Sequence, residues 1–572
     1  MATLPSNADV ADAFDLLADL SEILGEEGFR VNAYRRAATR IRDTGASVAE
    51  LALAGRATEL QGIGATIERK IVELAQTGEL EALEKRRRQV PAEVASFLRL
   101  PGIGPKTAAR IWRELDVTTL AELRAAAETH RLRGLQGLGA RSEEKILDAL
   151  RRGLGAEVER RGLLGAGLPV VRAVVDALRA HPAAVDVSEA GSVRRRRETF
   201  RDLDVIATAT DAASLIAHFV ALPGVVEVVA HGDTKATVVT GQGHRLDLRV
   251  VPPECYGDLL QHFTGSKEHN VALREEAQRR GLSVSEYGVT VVETGEVRQF
   301  RTEEELYAFL GYAFVPPELR ECTGELEAAR TGTLPSLVEL GDLRGELHCH
   351  STWSADGRDT IEAMALAARA RGYRYLCITD HSHYLRNGRL DAQREEIAAV
   401  DAALGPSFRV LHGIEANIKA DGSLDVADVE LASLDWVVAS LHHSLDRSPT
   451  ERVLEAVENP HVDCIGHLTG RRLSRPARAA GAAIDVARVV VRAAETGTAL
   501  ELNSQPDRLD LRDVHARLAG EAGVLVPVTT DAHQASSLAH AELGIAQARR
   551  AWLTREQVLN TRPWREIARM TR

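Results

Sequence analysis

Between residues 345 and 533 the chain repeats one pattern: a short β-rich run, a residue able to bind a metal ion, then a helical stretch. Glu346-Leu347 leads to His348 and His350, the run 375–379 to Asp380 and His381, and the run 410–414 to Glu415. The run 436–440 leads to His442, 462–466 to His467, 499–502 to Asn503, and 524–530 to Asp531 and His533. Helical stretches such as 360–371 and 482–495 alternate with these runs. This β/α alternation, with about seven strands, predicts a parallel barrel whose C-terminal strand ends meet on one face. Twelve of the 19 histidines lie after residue 341. A single His-x-His is as common on a polar strand, but the ordered set of His, Asp and Glu makes metal sites.

A second pattern lies in the middle. Asp202 and Asp204 flank Leu203 in a short apolar segment, and alternation puts both carboxylates on one face of a strand. Asp247 has the same setting in R-L-D-L-R-V. Neighbouring carboxylates repel unless a cation sits between them, and oxygen-only ligands suit magnesium or manganese. Three aspartates on two strands could hold two ions for an in-line phosphoryl displacement. Ahead of them, the Gly191-Ser192 turn and Arg195 offer backbone, hydroxyl and guanidinium donors for a triphosphate. Taken alone, D-x-D is also an ordinary solvated strand end.

The N-terminal part reads as amphipathic helices with a recurring Gly-x-Gly turn: Gly62-Ile63-Gly64, Gly102-Ile103-Gly104 followed by Lys106, and Gly137-Leu138-Gly139. Each turn precedes a helix and would present backbone N–H groups to a phosphate. Glycine turns between helices are common, but three copies spaced by 40 and 35 residues point to grips on a nucleic-acid backbone.

At 572 residues about four domains are expected. The composition, 44% hydrophobic and 27% charged, is that of a globular protein. No apolar run reaches the roughly 20 residues that span a bilayer, no secretory signal precedes the first helix, and the five cysteines are dispersed. A cytoplasmic, nucleoid-associated, monomeric protein with reduced thiols and no membrane partner is expected. The net charge of −12 argues against nucleic acid, yet residues 1–165 carry 25 basic and 25 acidic side chains. Arginine dominates over seven lysines; it grips phosphate well, and genome composition explains its abundance equally.

The motifs G-S, D-L-D and R-L-D-L-R resemble the nucleotidyltransferase palm of family X DNA polymerases, and H-F-T-G-S-K-E-H-N followed by Arg274 resembles their thumb signature. The resemblance implies Phe263 and Gly265 against the incoming sugar, Asn270 near the base edge and Arg274 over the template. His262 replaces the tyrosine of vertebrate members, which puts sugar selectivity in question. The glycine turns look like helix-hairpin-helix motifs. Lys70 matches the family's lyase lysine, with Tyr34 and Arg35 as phosphate-binding neighbours, although Lys70 also reads as a plain helix-surface lysine.

L-H-C-H-S, T-D-H, G-I-E, S-L-H, G-H and T-D-A-H resemble the PHP (polymerase and histidinol phosphatase) family. By motif position its three-metal centre implies His348, His350, Glu415 and Asp531 on one ion, Glu415, His442 and His467 on a second, and Asp356, His381 and His533 on a third. Zinc or manganese is implied, the aspartate at 356 favouring manganese. Such ions lower the pKa of bound water toward ~7 and supply a hydrolytic nucleophile. Arg471 and Arg508 are candidates for clamping a substrate phosphate.

The expected fold is therefore multidomain. Residues 1–84 form a lyase-like helical domain and 85–154 a fingers-like helical domain, both with helix-hairpin-helix motifs. An α+β palm (155–253), a thumb (254–317), a linker (318–341) and a distorted (β/α)7 TIM-like PHP barrel (342–572) follow. The expected function is short-gap filling in base-excision repair on primer-template or gapped DNA with dNTPs, plus 3′-5′ exonuclease, 3′-phosphoesterase or AP-endonuclease action. The alternative is a 3′-end-processing nuclease whose palm only positions DNA.

Overall fold

A computed structural model describes residues 5, 7–26, 28–43, 48–60, 62–100, 102–135, 137–151, 161–445, 447–475 and 481–570. The boundary expected at 154–155 lies outside these, as do Gln61, Pro101 and Gln136 beside the three glycine turns. The chain divides into two compact units: Met1–Gly162 with Ala166–Ala190 and Thr199–Leu260, and Leu163–Gly165 with Gly191–Glu198 and Gln261–Arg572.

In the first unit, helices from Asn7–Ile23 to Ala140–Arg151 bury their apolar stripes against one another. Phe14, Ile71, Phe97, Ile111 and Ile146 belong to one continuous core, so the two helical domains expected there share their interior. A five-stranded sheet follows, ordered Ala184–Glu189, Asp202–Ala209, Arg245–Val251, Lys235–Thr240, Val225–His231. The second and third of these are parallel and the other pairs antiparallel. Leu203, Val205, Leu246 and Leu248 point into the core, which turns the intervening aspartates to the other face.

In the second unit, helix Lys267–Arg279, a three-stranded antiparallel sheet and helix Glu303–Phe309 enclose Leu273, Leu306, Tyr307 and Val315. Residues 318–341, expected as a linker, are ordered and partly buried. Arg320 is fully buried and pairs with Glu303 at 2.5 Å, which also holds Arg194 at 2.6 Å. Glu325 accepts from His269 at 2.6 Å, and Val338 enters the core of the following domain. Charges of this stretch are ion-paired in the interior, with partners that local sequence cannot reveal.

Six parallel strands then run in chain order from Gly345–Cys349 to Ala499–Leu500, with Leu502–Asn503 paired to Val528–Thr529. Helices such as Ile361–Ala370, Pro449–Glu458 and Val486–Thr496 lie between them. Ring closure is made by a parallel bridge between Cys349 and Ala532. Buried Asn560 reinforces it, donating to Gly345 O at 2.9 Å and Val528 O at 2.7 Å, and accepting from the Val528 amide at 3.0 Å. The expected seven-stranded TIM-like arrangement is what forms.

Candidate metal centres

The strand register builds the first centre. Asp204 is the direct partner of Asp247 across the parallel pair, and Asp202 lies two residues before Asp204 on the same face. Adjacent strands stand about 4.8 Å apart, so three carboxylates crowd one patch of sheet. Thr237, opposite Asp247 on the next strand, donates its hydroxyl to Asp247. Arg201 reaches Asp202 at 3.3 Å and Arg245 reaches Asp247 at 3.8 Å. Like charges opposite one another destabilise a sheet, so this arrangement fits a cation-binding patch.

In the second unit, Gly191–Arg194 is a single helical turn entered through Gly191 at φ 63°. Arg195 donates to the Thr264 carbonyl and pairs with Glu321 at 3.0 Å. Gly265 adopts left-handed backbone (φ +69°), and a Cβ there would press on Arg195 Nη1 at 3.1 Å. Phe263 precedes it and its ring lies 5.2 Å from that of His262. Asn270 donates to the His262 carbonyl at 2.8 Å, and Arg274 to the His262 ring at 2.7 Å. Arg195 and the Phe263–Gly265 turn are thus brought together, with Asn270 and Arg274 fixed through His262.

The three hairpin turns share one build. Gly62, Gly102 and Gly137 have φ of 91°, 81° and 90°, a region that favours glycine. The middle residues Ile63, Ile103 and Leu138 are buried and anchor each turn. Gly64, Gly104 and Gly139 stand immediately before helices Ala65–Thr77, Pro105–Leu115 and Ala140–Arg151. All six glycines and Lys106 are exposed, and nothing lies within 4 Å of a Cβ at any of the six. Lys70 is half-buried on Ala65–Thr77; burial lowers its ammonium pKa, against Glu73 and with Arg86 and Arg69. Tyr34 instead packs inside against Phe14, and Arg35 is engaged by Glu22 and by Asp19 at 3.1 Å.

The barrel centre collects all nine implied ligands. Glu415, nearly fully buried, takes His442 at 3.2 Å, His467 at 3.1 Å and His381 at 2.7 Å, with His348 and His350 each at 3.7 Å. Asp531 stands 3.2 Å from His350 and 3.9 Å from His348. Asp356 stands 3.4 Å from His381 and 3.3 Å from His533. Two ligands about 2.1 Å from one ion at a tetrahedral angle stand roughly 3.4 Å apart, so these are ligand-pair spacings.

Electrostatics agree with that geometry. Burial alone would raise the Glu415 carboxyl, yet His442, His381 and His348 hold it well below the usual carboxylate range. His381, despite burial, is pushed up to about 10 by Glu415 and Asp356. His350 is driven down to about 3 by burial and by His533. Both ring nitrogens of His350, Nε2 of His348, Nδ1 of His467 and Oε2 of Glu415 are buried without a hydrogen-bond partner. Buried donors and acceptors are rarely left so, and ions would satisfy them together. His467 (φ 24°) and Asp531 (φ 49°) adopt left-handed backbone that non-glycine residues avoid, a strain concentrated at working sites.

A supporting layer orients the imidazoles. His348 Nδ1 meets Glu501 at 2.5 Å, His442 Nδ1 meets Asn417 at 2.6 Å, and His533 Nδ1 meets the Asp531 carbonyl at 2.8 Å. Such partners fix the tautomer and leave Nε2 for a metal. Asp380, a candidate ligand by sequence, instead accepts from the Ser351 amide and hydroxyl and from Gln393. Asn503 donates to Asp531 at 3.1 Å. Arg508 lies 3.9 Å from Asp531, whereas Arg471 pairs with Glu198 at 2.8 Å. Sequence reasoning missed Glu501 and Asn417; the only available signal was a polar residue inside an otherwise buried β-run.

Comparison with known proteins follows the same map. Family models match residues 5–80 (helix-hairpin-helix domain), 94–152 (SAM-like helix-hairpin-helix tandem), 259–321 (DNA polymerase beta thumb) and 346–505 (PHP domain). A Bacillus subtilis protein named DNA polymerase/3′-5′ exonuclease PolX is 39% identical over 98% of this chain and 98% of its own. The chain belongs to the bacterial family X DNA polymerases. The family assignment also explains two partial likenesses. Rat DNA polymerase lambda is 26% identical over 55% of this chain and 56% of its own, and a Thermoanaerobacter protein named a probable phosphatase is 30% identical over 38% of this chain and 89% of its own. No described helix of this family X chain is long and apolar enough to cross a membrane.

Proposed function

We propose that the chain fills short gaps in DNA during base-excision repair and trims or unblocks 3′ ends with its PHP barrel. Polymerase and 3′-5′ exonuclease activity follow from the family; the assignment of residues is our reading. The observation that carries it is the register that sets Asp204 beside Asp247.

In the synthetic site, Asp202 and Asp204 would hold two divalent ions, magnesium or manganese, with Asp247 as a further ligand of one of them. Those ions, when bound, neutralise charge on the attacking and leaving oxygens of the displacement. Ser192 and Arg195 hold the triphosphate, Phe263 and Gly265 leave room for the sugar, and Asn270 and Arg274 meet base edge and template. The Gly-x-Gly turns grip DNA phosphates without reading sequence.

In the barrel, His348, His350, Glu415 and Asp531 would hold one ion, Glu415, His442 and His467 a second, and Asp356, His381 and His533 a third, as zinc or manganese. The ions supply Lewis acidity and a nucleophile at neutral pH. Glu501, Asn417 and the Asp531 carbonyl keep three imidazoles in the binding tautomer. Arg508 meets the substrate phosphate. Lys70 serves as the amine nucleophile on a 5′ abasic sugar, its lowered pKa raising the free-amine fraction.

The test is a one-nucleotide gap supplied with dNTPs and manganese or magnesium, scoring extension against shortening. Asp204→Ala must lose extension and keep shortening; His350→Ala must do the reverse. An Asp204→Ala chain that extends normally would sink the assignment.

A further inference from the structure

The turn Gly191–Glu198 groups with the thumb and barrel in one compact unit. Its docking is specific. Gln547 donates to the Arg196 carbonyl at 3.0 Å, and Arg550 donates to the Arg195 carbonyl at 2.8 Å. Arg550 is itself fixed by Asp513 at 2.6 Å and Glu321 at 3.0 Å. At the end of the turn, Glu198 Oε2 meets Arg471 Nη2 at 2.8 Å, and its carbonyl accepts the Leu164 amide at 2.9 Å.

Arg471 lies four residues beyond the ligand His467 and is almost fully buried. It also makes a long contact, Nη1 to the Leu509 carbonyl at 3.5 Å, and its Nε has no partner. Leu509 follows Arg508, which faces Asp531. The loop carrying His467 is otherwise tied by Thr469, which donates from its amide and hydroxyl to Asp510 at 3.0 Å. Glu198 is therefore the carboxylate paired directly with a buried guanidinium four residues from a ligand, the buried Asp510 carboxylate adding a weaker attraction. An uncompensated buried charge there would repel the cations of that site.

We propose that Glu198, from the turn that also carries the nucleotide-binding arginine, is a positioning residue for the hydrolytic metal centre, acting through Arg471. The proposal rests on the barrel being that centre. Glu198 touches no implied ligand; it sets the charge and place of the side chain that follows His467. The barrel's affinity for ions thereby depends on a turn that lies before the thumb in sequence and packs within the same compact unit.

The test uses the metal-stripped full chain titrated with Mn2+, with bound ion counted by electron paramagnetic resonance, alongside 3′-5′ degradation of a single-stranded oligonucleotide. Glu198→Gln should weaken the barrel's Mn2+ affinity by about tenfold, the loss typical of removing a supporting partner. Glu198→Asp should recover most of it. The double variant Glu198→Gln with Arg471→Gln should also recover affinity, because the uncompensated charge is gone; a merely structural role predicts that the double variant binds as weakly as the single or worse. Unchanged affinity in Glu198→Gln, or a double variant no better than the single, overturns the proposal. Failure of the functional reading is distinct: the wild-type chain would then degrade DNA no faster than His350→Ala.

Discussion

Asp204 and Asp247 are direct neighbours on adjacent parallel strands, 43 residues apart in sequence and paired residue for residue. Hydrogen-bond register, rather than loop conformation, puts the two carboxylates together. Asp204→Asn or Asp247→Asn should keep the sheet and lower single-nucleotide gap filling at least ~100-fold, the scale for removing a group aimed at transition-state charge. Degradation of a single-stranded 3′ end should stay within about twofold of wild type. Steady-state rates on the two substrates check this.

Metal removal should be felt as stability. Buried nitrogens of His348, His350 and His467 lack partners, and ions that bind only the folded barrel add stability by mass action. At a hundredfold excess over the dissociation constant that is about 3 kcal/mol per site. Chelator should lower the barrel's thermal midpoint, and Mn2+ or Zn2+ should restore it. A melting curve indifferent to chelator and ion would contradict the centre.

Glu303 gives a pH dependence. Burial would raise its carboxyl, but Arg320 and Arg194 hold it at about 2, below the ordinary 4.5. The folded pKa is depressed, so this stabilisation is present above about pH 4.5 and is lost as pH falls toward 2. It is on the order of 3 kcal/mol. Glu303→Gln should flatten that acid limb. At neutral pH the same variant should cost roughly 3–5 kcal/mol, since buried Arg320 loses its counter-charge. Thermal unfolding between pH 2 and 7 measures both.

Gly102 occupies φ +81° in an open turn. Gly102→Val should destabilise the helical unit by about 1–2 kcal/mol through backbone strain. It should also weaken gapped-DNA binding equally across sequences, because backbone grips carry no sequence information. Binding to several unrelated duplexes distinguishes this from a base-reading role.

Borohydride should trap wild-type protein on a 5′ abasic sugar. Lys70→Ala should reduce trapping to background while gap filling continues. Persistent trapping in that variant would move the lyase role elsewhere.

Much of this was legible in the sequence because the decisive patterns are periodic. Period-two alternation around Asp202, Asp204 and Asp247 fixed the face, and ligands at strand ends fixed the rim of the barrel. The three glycine turns repeat one local geometry and so announced themselves. Less visible was anything settled by distant pairing. Residues 318–341 read as a linker, a charged, glycine-containing stretch after Pro316-Pro317, yet Arg320, Glu321 and Glu325 pair with Glu303, Arg195, Arg550 and His269 outside that stretch. Glu501 was hidden for the same reason: its meaning comes from His348, 153 residues earlier. Arg471 likewise meets Glu198, 273 residues earlier.

Asn560 is the clasp of the barrel, joining the first strand to the last from a position beyond both. During synthesis at about 5–20 residues per second, the helical and palm segments emerge well before it. The glycine turns and the Asp204–Asp247 strand pair are therefore made before the barrel can close. Closure of the barrel therefore comes after every one of its strands has been made.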